Sequence, residues 1–529
     1  MRARPTIGAE ITISPPFDSI RRLPEPLSRS PMRDPSVSSL ASASSRAVPR
    51  RPRPATVAGA AGLLFAAALL AGCSVGEPYR PPAPDAARGA PFDAAGEARV
   101  TSGGDLPDQW WRLYDDSALD ALVSDALAGN RDLAVAAARV QRARAVLDEA
   151  GAARLPDTQA GFGVDYGKHD ADQIEAAADG TRAPTRWGFA PSFAFSWEVD
   201  LWGRVRHLVD AARADAQAMQ AASDAMRVEV ASETTAAYVR ACAYGERIDV
   251  AERSIDIADR LAALTGKQRA HGLVSDLKVA RSRAFADDTR TALPALAGAR
   301  RAALYELAVL TGRPPDQIPA AAAACHATPV LARPFPVGDG AALLRRRPDV
   351  RESERRLAAA NARIGVATAD LYPSIQLGGS VNWLSTTGDP STLGNKYAIA
   401  WGVGPLITWH FPNLAANRAQ LAQAHADDAA ARASFDAQVL RALKETEQAL
   451  TLYGAAWRQH TAIETARGEH ARAYRLAEAN YKAGALDFLG VLDAQRSLVA
   501  ADSALAVSTQ QVALDQVAVF KALGGGWQQ

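Results

Sequence analysis

Residues 271–280, His-Gly-Leu-Val-Ser-Asp-Leu-Lys-Val-Ala, align with residues 483–492, Ala-Gly-Ala-Leu-Asp-Phe-Leu-Gly-Val-Leu, at an offset of 212. Trp197 recurs at the same offset as Trp409, and further upstream the matches continue at an offset of 217. A single length difference of five residues reconciles the two offsets. The same order of segments in both halves predicts one duplicated unit of about 200 residues rather than a short solenoid repeat.

Each half contains one segment in which apolar residues alternate strictly with small or polar ones. The apolar set is Phe189, Phe193, Phe195 and Trp197 in the first half, and Tyr397, Ile399, Trp401 and Trp409 in the second. Each segment follows a partner strand, so the pattern predicts β-hairpins at 158–201 and 374–410. Strands of about 10 residues with aromatics near their ends are typical of a membrane β-barrel with its apolar face toward lipid. A soluble sandwich that buries this face is the alternative.

Four strands cannot close a barrel, and an open sheet edge in lipid leaves backbone groups unpaired. The membrane interpretation therefore requires oligomerisation, with 8 strands in a dimer or 12 in a trimer as the smallest options. Small residues on the other strand face favour the wider lumen of the trimer.

The rest of the chain has helical composition. No proline lies between Pro191 and Pro294 or after Pro412, and the intervening sequence is rich in Ala, Leu, Arg, Glu and Gln. We predict long helices at 204–270 and 415–483, each on the order of 100 Å. Return helices are expected at 275–311 and 487–523.

Residues 50–73 have the pattern of an export signal. A basic stretch precedes an apolar run from Val57 to Leu70, which is shorter than the about 20 residues that a transmembrane helix needs. Leu70-Ala-Gly-Cys73 is similar to a bacterial lipobox, which would make Cys73 the acylated first residue of the mature protein. An ordinary signal peptide with an incidental cysteine is the alternative. Residues 1–49 are either a misassigned start or a disordered leader, and they are left out of the fold.

Composition and motifs exclude several functions. Residues 1–73 hold 10 arginines and 4 acidic residues, so the remainder carries 49 basic and 54 acidic residues, which is no footprint for nucleic acid. The three cysteines, Cys73, Cys242 and Cys325, form no CxxC pair and no metal-ligand spacing with histidine. No nucleophile–base signature or phosphate loop is found, so an enzyme is not expected and no cofactor beyond the lipid on Cys73 is predicted.

Several segments resemble the outer-membrane factors of tripartite efflux and type I secretion systems, the TolC/OprM-like family, and within it the NodT-type lipoproteins. These segments are Cys73-Ser-Val-Gly-Glu-Pro-Tyr-Arg-Pro, Trp110-Trp-Arg-Leu-Tyr-Asp, Arg346-Arg-Pro-Asp-Val-Arg, Tyr481-Lys-Ala-Gly-Ala-Leu-Asp-Phe-Leu-Gly-Val-Leu-Asp-Ala-Gln-Arg and Ala522-Leu-Gly-Gly-Gly-Trp. The resemblance implies a homotrimer whose 12-stranded β-barrel, with four strands per chain, continues into a long periplasmic α-helical barrel. An equatorial domain surrounds that helical barrel midway.

With this resemblance the chain divides into six parts. They are a leader and lipoprotein signal (1–72), an arm and equatorial segment (73–116), a first repeat (117–311), an inter-repeat equatorial segment (312–345), a second repeat (346–523) and a tail (524–529). The implied location is the outer membrane, lipid-anchored, spanning the membrane and extending into the periplasm. The implied function is passive conduction of drugs or other small molecules, supplied by a periplasmic adaptor and an inner-membrane transporter of the RND type.

The resemblance also implies a gate at the periplasmic tip, where Gly272 and Gly484 make the turns. Asp493 matches a gate carboxylate, Leu489 a hydrophobic constriction, and Arg496 and Tyr481 residues that lock the gate. Three Asp493 carboxylates around one axis would favour cations. Gly490 stands where some members have a second aspartate, so the gate could have a single acidic ring. Lys278, at the repeat-equivalent position of the first turn, could instead contact a carboxylate. The third alternative is that Asp493 is simply a solvated residue on a helix.

Three other functions fit parts of the pattern. A type I protein-secretion exit duct would share the fold. A periplasmic adaptor would need a small soluble barrel and a lipoyl-like module in place of the hairpins, and a structural lipoprotein would not need small residues along one strand face.

Overall fold

The structure of the chain, a computed structural model, describes residues 75–82, 90–96, 98–101, 106–331, 333–385 and 387–527, all of which belong to one unit. The export signal and Cys73 lie outside the described residues. The helices are α1 Ser117–Gly129, α2 Arg131–Ala152, α3 Asp170–Asp179, α4 Arg204–Ala270, α5 Asp276–Arg290, α6 Ala292–Leu310, α7 Ala320–Ala323, α8 Gly340–Arg346, α9 Pro348–Ala369, α10 Ala415–Lys482 and α11 Phe488–Ala522.

The strands form two separate sheets. They are β1 Val100–Thr101, β2 Asp157–Gly167, β3 Arg186–Glu198, β4 Phe335–Pro336, β5 Ser374–Trp383 and β6 Ile399–Thr408. Four of them make one antiparallel sheet in the order β2–β3–β5–β6, which leaves β2 and β6 at its edges. The short strands β1 and β4 pair in parallel elsewhere and were not predicted from the sequence.

The hairpins differ in detail from the sequence prediction. The first connection is not a plain loop, because it contains the helix α3. Tyr397 was expected in a strand but lies in the short 3₁₀ helix Lys396–Ala398, and Trp409 follows the last residue of β6. Both side chains therefore flank the strand, at its two ends.

The two long helices dominate the chain. α4 has 67 residues and α10 has 68, which gives each a length of about 100 Å. The Asp200 carboxylate accepts hydrogen bonds from the backbone amides of Val205 and Arg206 at 2.9 and 2.8 Å and so caps the start of α4. The end of each strand pair thus leads directly into a long helix.

The first return helix is broken, contrary to the single helix predicted at 275–311. α5 ends at Arg290 and α6 begins at Ala292, with Pro294 in the first turn of α6. Proline has no amide hydrogen and its ring clashes with the carbonyl four residues earlier, so a continuous helix is disfavoured here. The equivalent position in the second half is Ala506, and α11 runs unbroken from Phe488 to Ala522.

Repeat-equivalent side chains join helices end to end in both halves. Asn130 accepts from the amides of Asp132 and Leu133 at the start of α2, and its Nδ2 donates to Leu310 O at the end of α6, at 3.1 Å. At the matching position, offset by 217, Arg347 precedes α9, and its Nη1 donates to Ala522 O at the end of α11, at 2.9 Å.

Contacts between helices define a layer. α4 packs against α2, α5 and α6, and also against α9 and α11. α10 packs against α9 and α11. The resulting order across the layer is α2 with α5 and α6, then α4, then α9 with α11, then α10, which follows the strand order of the sheet.

The largest apolar core lies midway along the long helices. Trp110 stacks on Phe520 with ring centroids 4.5 Å apart, and Phe335 lies 4.6 Å from the same ring. We call the described residues of 90–101 and 318–337 the collar, because they cover this core from two places in the sequence. β1 and β4 join the two parts of the collar through their parallel pairing.

A disulfide that the sequence analysis did not predict lies beneath the collar. It joins Cys242 of α4 to Cys325, with Cα atoms 4.9 Å apart. The two cysteines are 83 residues apart in sequence, so no local spacing reveals the pair.

Candidate gate and membrane surfaces

Two helical hairpin tips have the same backbone geometry. Gly272 follows α4 and Gly484 follows α10, and each has φ of 75°. The amides of Leu273 and Ala485 donate to carbonyls five residues earlier, at 2.9 and 2.8 Å, which ends each long helix. A side chain at φ near 75° is strained, so glycine is required at both turns. The duplicated sequence thus produces two matching tips.

Tyr481 and Arg496 connect the two tips within one chain. The Tyr481 hydroxyl lies 3.3 Å from Nε2 and 3.4 Å from Oε1 of Gln268, on α4. The Arg496 guanidinium lies over the Phe285 ring of α5, 5.3 Å from its centroid. Phe488 and Leu492 pack with Phe285 in a small buried cluster between the hairpins. Both predicted lock residues therefore bind the second hairpin to the first.

Leu489 and Asp493 lie on α11, on a face turned away from the buried side chains of Phe488 and Leu492. They are spaced i and i+4, so they share a face, and Leu489 is 40% exposed. Asp493 is also exposed and makes no hydrogen bond or ion pair with any described residue. The structure thus brings these two residues together on a free surface but does not join either of them to Arg496 or Tyr481.

The first tip differs in its chemistry. Arg269, which is repeat-equivalent to Tyr481, forms a bidentate ion pair with Asp276 at 2.6 and 3.0 Å. The hydrogen bonds and charge of Arg269 lower the pKa of the Asp276 carboxyl. Lys278 makes no ion pair with a described carboxylate, so its possible contact is not seen within the chain. Sequence reasoning missed the Arg269 pair, although Arg269 and Asp276 are only seven residues apart across the turn.

The strand register places the apolar side chains on one face of the sheet. Phe193 pairs with Val381, which pairs with Trp401, so these three form one row across three strands. The other members of the set are Phe189, Phe195 and Trp197 on β3 and Ile399 on β6. Many of these side chains are exposed in the single chain, among them Trp401 at 74%. Such a large apolar patch indicates a surface that needs a partner or lipid.

The opposite face of the sheet carries small or polar side chains. Gly161 pairs with Ser192, Ser196 with Gly378, and Gly378 with Gly404. The edge strands β2 and β6 each pair on one side only. The sheet therefore has one apolar face and one face of small or polar side chains, and each edge strand lacks a partner on its outer side in the described chain.

The N-terminal arm passes the junction between sheet and helices. The amide of Val75 donates to Trp202 O at 3.2 Å, and Val75 O lies 3.0 Å from Nε2 of His207. The Tyr79 hydroxyl then donates to the carboxylate of Glu354, which lies on α9, at 2.7 Å. The residue two positions after Cys73 is thus held at the base of the sheet.

No group of His, Cys, Asp or Glu side chains in the described part of the chain could hold a metal ion. Among the helices that the structure describes, none is long and apolar enough to cross a membrane.

Comparison with known proteins identifies the family. Residues 122–313 and 341–525 match the family model described as outer membrane efflux protein. The chain belongs to this family. The matched ranges cover both repeats and leave out most of the segment between them. The predicted family is therefore confirmed, and the chain is an outer-membrane efflux channel protein.

Relatives within the family align over most of their length. The pyoverdine export outer membrane protein OpmQ of Pseudomonas putida is 31% identical over 433 residues, 80% of this chain and 89% of that protein. Nodulation protein T of Rhizobium leguminosarum bv. viciae is 28% identical over 468 residues, 87% and 92% of the two chains. The solved outer-membrane channel OprN superposes with a TM-score of 0.79 at 33% identity, over 86% of this chain and all of that one.

Proposed function

We propose that three copies of the chain form one conduit through the outer membrane, each supplying four strands of a 12-stranded barrel. The observation that carries this proposal is the sheet itself, with an exposed apolar face and two unpaired edges. In lipid every backbone polar group needs a partner, so β2 of one copy pairs with β6 of the next. The small side chains of the inner face suit a lumen wider than that of an 8-stranded dimer.

The helices continue the conduit below the membrane. Since the order of helices follows the order of strands, α10 of one copy meets α2, α5 and α6 of the next. The end-to-end joints at Asn130 and Arg347 support this arrangement, because they turn short helices into longer rods. Twelve rods would then surround a periplasmic tunnel, with the collar around its middle.

The tunnel is closed at rest by Leu489 and Asp493. Both side chains are exposed in the single chain and lie on one helix face, away from the buried cluster of Phe488 and Leu492. Tyr481 and Arg496 bind the second hairpin to the first and so hold the closed position. Opening requires the hairpins to separate at these contacts.

Cys73 anchors the chain by its lipid. The position of Val75 at the base of the sheet supports this role, because an acyl group two residues earlier would reach the inner leaflet. Cys73→Ala should abolish labelling of the mature protein by radioactive palmitate, whereas Cys242→Ala should leave it intact. Labelling of both variants would contradict the anchor. One lipid group gives modest membrane affinity, so the barrel is expected to keep the variant in the membrane.

The cargo is small molecules delivered by a periplasmic adaptor and an inner-membrane transporter of the RND type, without a catalytic step in this chain. The names of the relatives support export of small solutes, since OpmQ is named for pyoverdine export and CusC for cation efflux. An exit duct for type I protein secretion is the alternative. If the chain exports small molecules, deletion of its gene should make cells more sensitive to small toxic compounds.

The oligomer is tested directly by native mass spectrometry of the protein extracted from outer membranes in mild detergent. We expect three copies, and on gels a form that dissociates only on heating. Two copies, or a monomer under all conditions, would contradict the shared barrel.

A further inference from the structure

The collar is bonded covalently to α4 at one place. We define the clamp segment as residues 320–328, which include the one-turn helix α7 and Cys325. This segment belongs to the stretch between the repeats, so the duplicated unit supplies no second copy of it. In the second half the corresponding long helix, α10, is covered instead by the N-terminal part of the collar. There the backbone amides of Asp93 and Ala94 donate to the Glu447 carboxylate.

Several contacts surround the disulfide on α4. A Cβ on Gly245 would lie 2.6 Å from Cys325 O, so the clamp segment approaches the helix as closely as a glycine permits. The Glu246 carboxylate accepts from the amide and hydroxyl of Thr328, at 3.1 and 2.5 Å. Arg300 of α6 donates to the carbonyls of Ala323 and Cys325.

The ion pair beside the disulfide adds little to the hold on the segment. His326 and Asp249 form a 2.9 Å pair, but their side chains are 44% and 34% exposed, and pairs exposed to water contribute little. The segment has only one turn of helix of its own. The disulfide closes a loop of more than 80 residues, and the constraint that a disulfide places on the unfolded chain grows with loop length.

We propose that the Cys242–Cys325 disulfide is a maturation clamp, made by a thiol–disulfide oxidoreductase of the exported compartment, that fixes the clamp segment on α4. In the first step a cysteine thiolate of the chain attacks the disulfide of the oxidoreductase and displaces one of its sulfurs. The thiolate of the second cysteine then attacks the mixed disulfide. The chain loses two electrons and two protons, and the oxidoreductase leaves as a dithiol.

Burial sets the order of events. Cys242 is fully buried beneath the collar, so the oxidoreductase must act before the clamp segment closes over the helix. Oxidising compartments form and keep such bonds, whereas the cytosol does not. The inference therefore rests on the proposed export of the chain. Protein found in the outer membrane with both thiols free would contradict the clamp alone and leave the exported channel intact.

The first experiment identifies the bond and its source. Cells are lysed in N-ethylmaleimide, and the full-length mature protein is digested and analysed by mass spectrometry. We expect the peptide with Cys242 to be linked to the peptide with Cys325. In cells that lack the periplasmic disulfide oxidase we expect both cysteines to carry maleimide. Alkylated thiols in normal cells, or equal linkage in both strains, would overturn the proposal.

The second experiment measures what the bond does. In the double variant Cys242→Ala and Cys325→Ala, we expect amide hydrogen exchange over residues 320–331 to be at least tenfold faster, with no change at residues 480–490 of the second tip. Glu246→Gln is the matched control, because it weakens the two hydrogen bonds from Thr328 and keeps the disulfide, so it should change exchange less than threefold. Wild-type exchange in the double variant would show that the bond does not hold the segment.

Discussion

The same position performs the same task with two different residues in the two repeats. Asn130 and Arg347 each donate a hydrogen bond to the last carbonyl of a return helix, Leu310 O and Ala522 O. The arginine does more, because its Nη2 also donates to the Asp349 and Glu445 carboxylates at 2.6 and 2.8 Å. Its side chain is only 8% exposed, so these carboxylates are its main compensation for burial.

Removing Arg347 should therefore destabilise the protein more than removing Asn130. In Arg347→Met the volume is retained, but Ala522 O and two carboxylates lose a charged donor, at a cost of about 2–3 kcal/mol. Asn130→Ala removes a helix cap, which costs about 1 kcal/mol. We expect the midpoint of thermal unfolding in detergent to fall in that order. Arg345→Met, at an exposed position, is the control; an equal fall there would show that the joint has no special role.

The joint should also weaken in acid. Burial raises the pKa of the Asp349 carboxyl, but the hydrogen bonds and charge of Arg347 outweigh it, so the pKa in the folded protein is lowered. The stabilisation is thus complete above the ordinary carboxyl pKa of about 4 and is lost as the pH falls through the lowered value. We expect the difference in unfolding midpoint between wild type and Asp349→Asn to be full at pH 7 and to shrink below about pH 4. A constant difference down to pH 2 would contradict this assignment.

At the scale of elements, sequence reasoning worked where the signal was local. Period-2 alternation located the strands of both hairpins, and the turn glycines at 272 and 484 stand where the long helices end. The broken return helix was readable as well, because Pro294 stands inside the expected range. In the second repeat Ala506 takes the place of this proline, and the helix there is unbroken.

Contacts between distant parts of the chain were not readable. The Cys242–Cys325 bond and the parallel pairing of β1 with β4 join residues that are far apart in sequence and have no repeat counterpart. At the tip, Asp493 and Leu489 are exposed in the single chain, and their role in a gate stays a prediction. The partners of Tyr481 and Arg496, which are Gln268 and Phe285, depend on how the two hairpins pack.

A charged side chain should impair assembly on the apolar face of the sheet much more than on the opposite face. Phe193 and Ser192 are neighbours near the middle of β3 but point to opposite faces. Arginine on a lipid-facing site near the bilayer centre costs about 2–4 kcal/mol, whereas a lumen site is wet. Phe193→Arg should therefore reduce the amount of trimer in the outer membrane strongly, and Ser192→Arg should reduce it little.

The second repeat offers an independent pair for the same measurement. Trp401 lies in the same row as Phe193, and Gly402 is its neighbour on the inner face. We expect Trp401→Arg to impair assembly and Gly402→Asp to be tolerated. If substitutions on both faces reduced the trimer equally, the sheet would not be facing lipid on one side and water on the other.

At the scale of the whole molecule, the problem is to keep a wide pore closed. A 12-stranded barrel joined to an open tunnel would be a permanent leak, so resistance must be concentrated where the tunnel is narrowest. The two tips are built alike, but the first carries the Arg269–Asp276 ion pair and the second exposes Leu489 and Asp493. At the second tip the exposed Asp493 carboxylate, which pairs with no described residue, lies beside the apolar Leu489 side chain, and together they can exclude both water and anions.

Replacing Asp493 and Leu489 should therefore change conduction in separable ways. In the proposed trimer, Asp493→Ala removes a ring of three negative charges, so the channel in planar bilayers should lose part of its preference for cations over anions. Adding Leu489→Ala removes the apolar constriction, so the double variant should also conduct several-fold more than wild type. Asp288→Ala, which removes an exposed carboxylate of α5 away from the tip, should change neither property. If the double variant kept wild-type conductance and selectivity, the closure would have to lie elsewhere along the tunnel, with the contacts of Tyr481 and Arg496 as the next place to test.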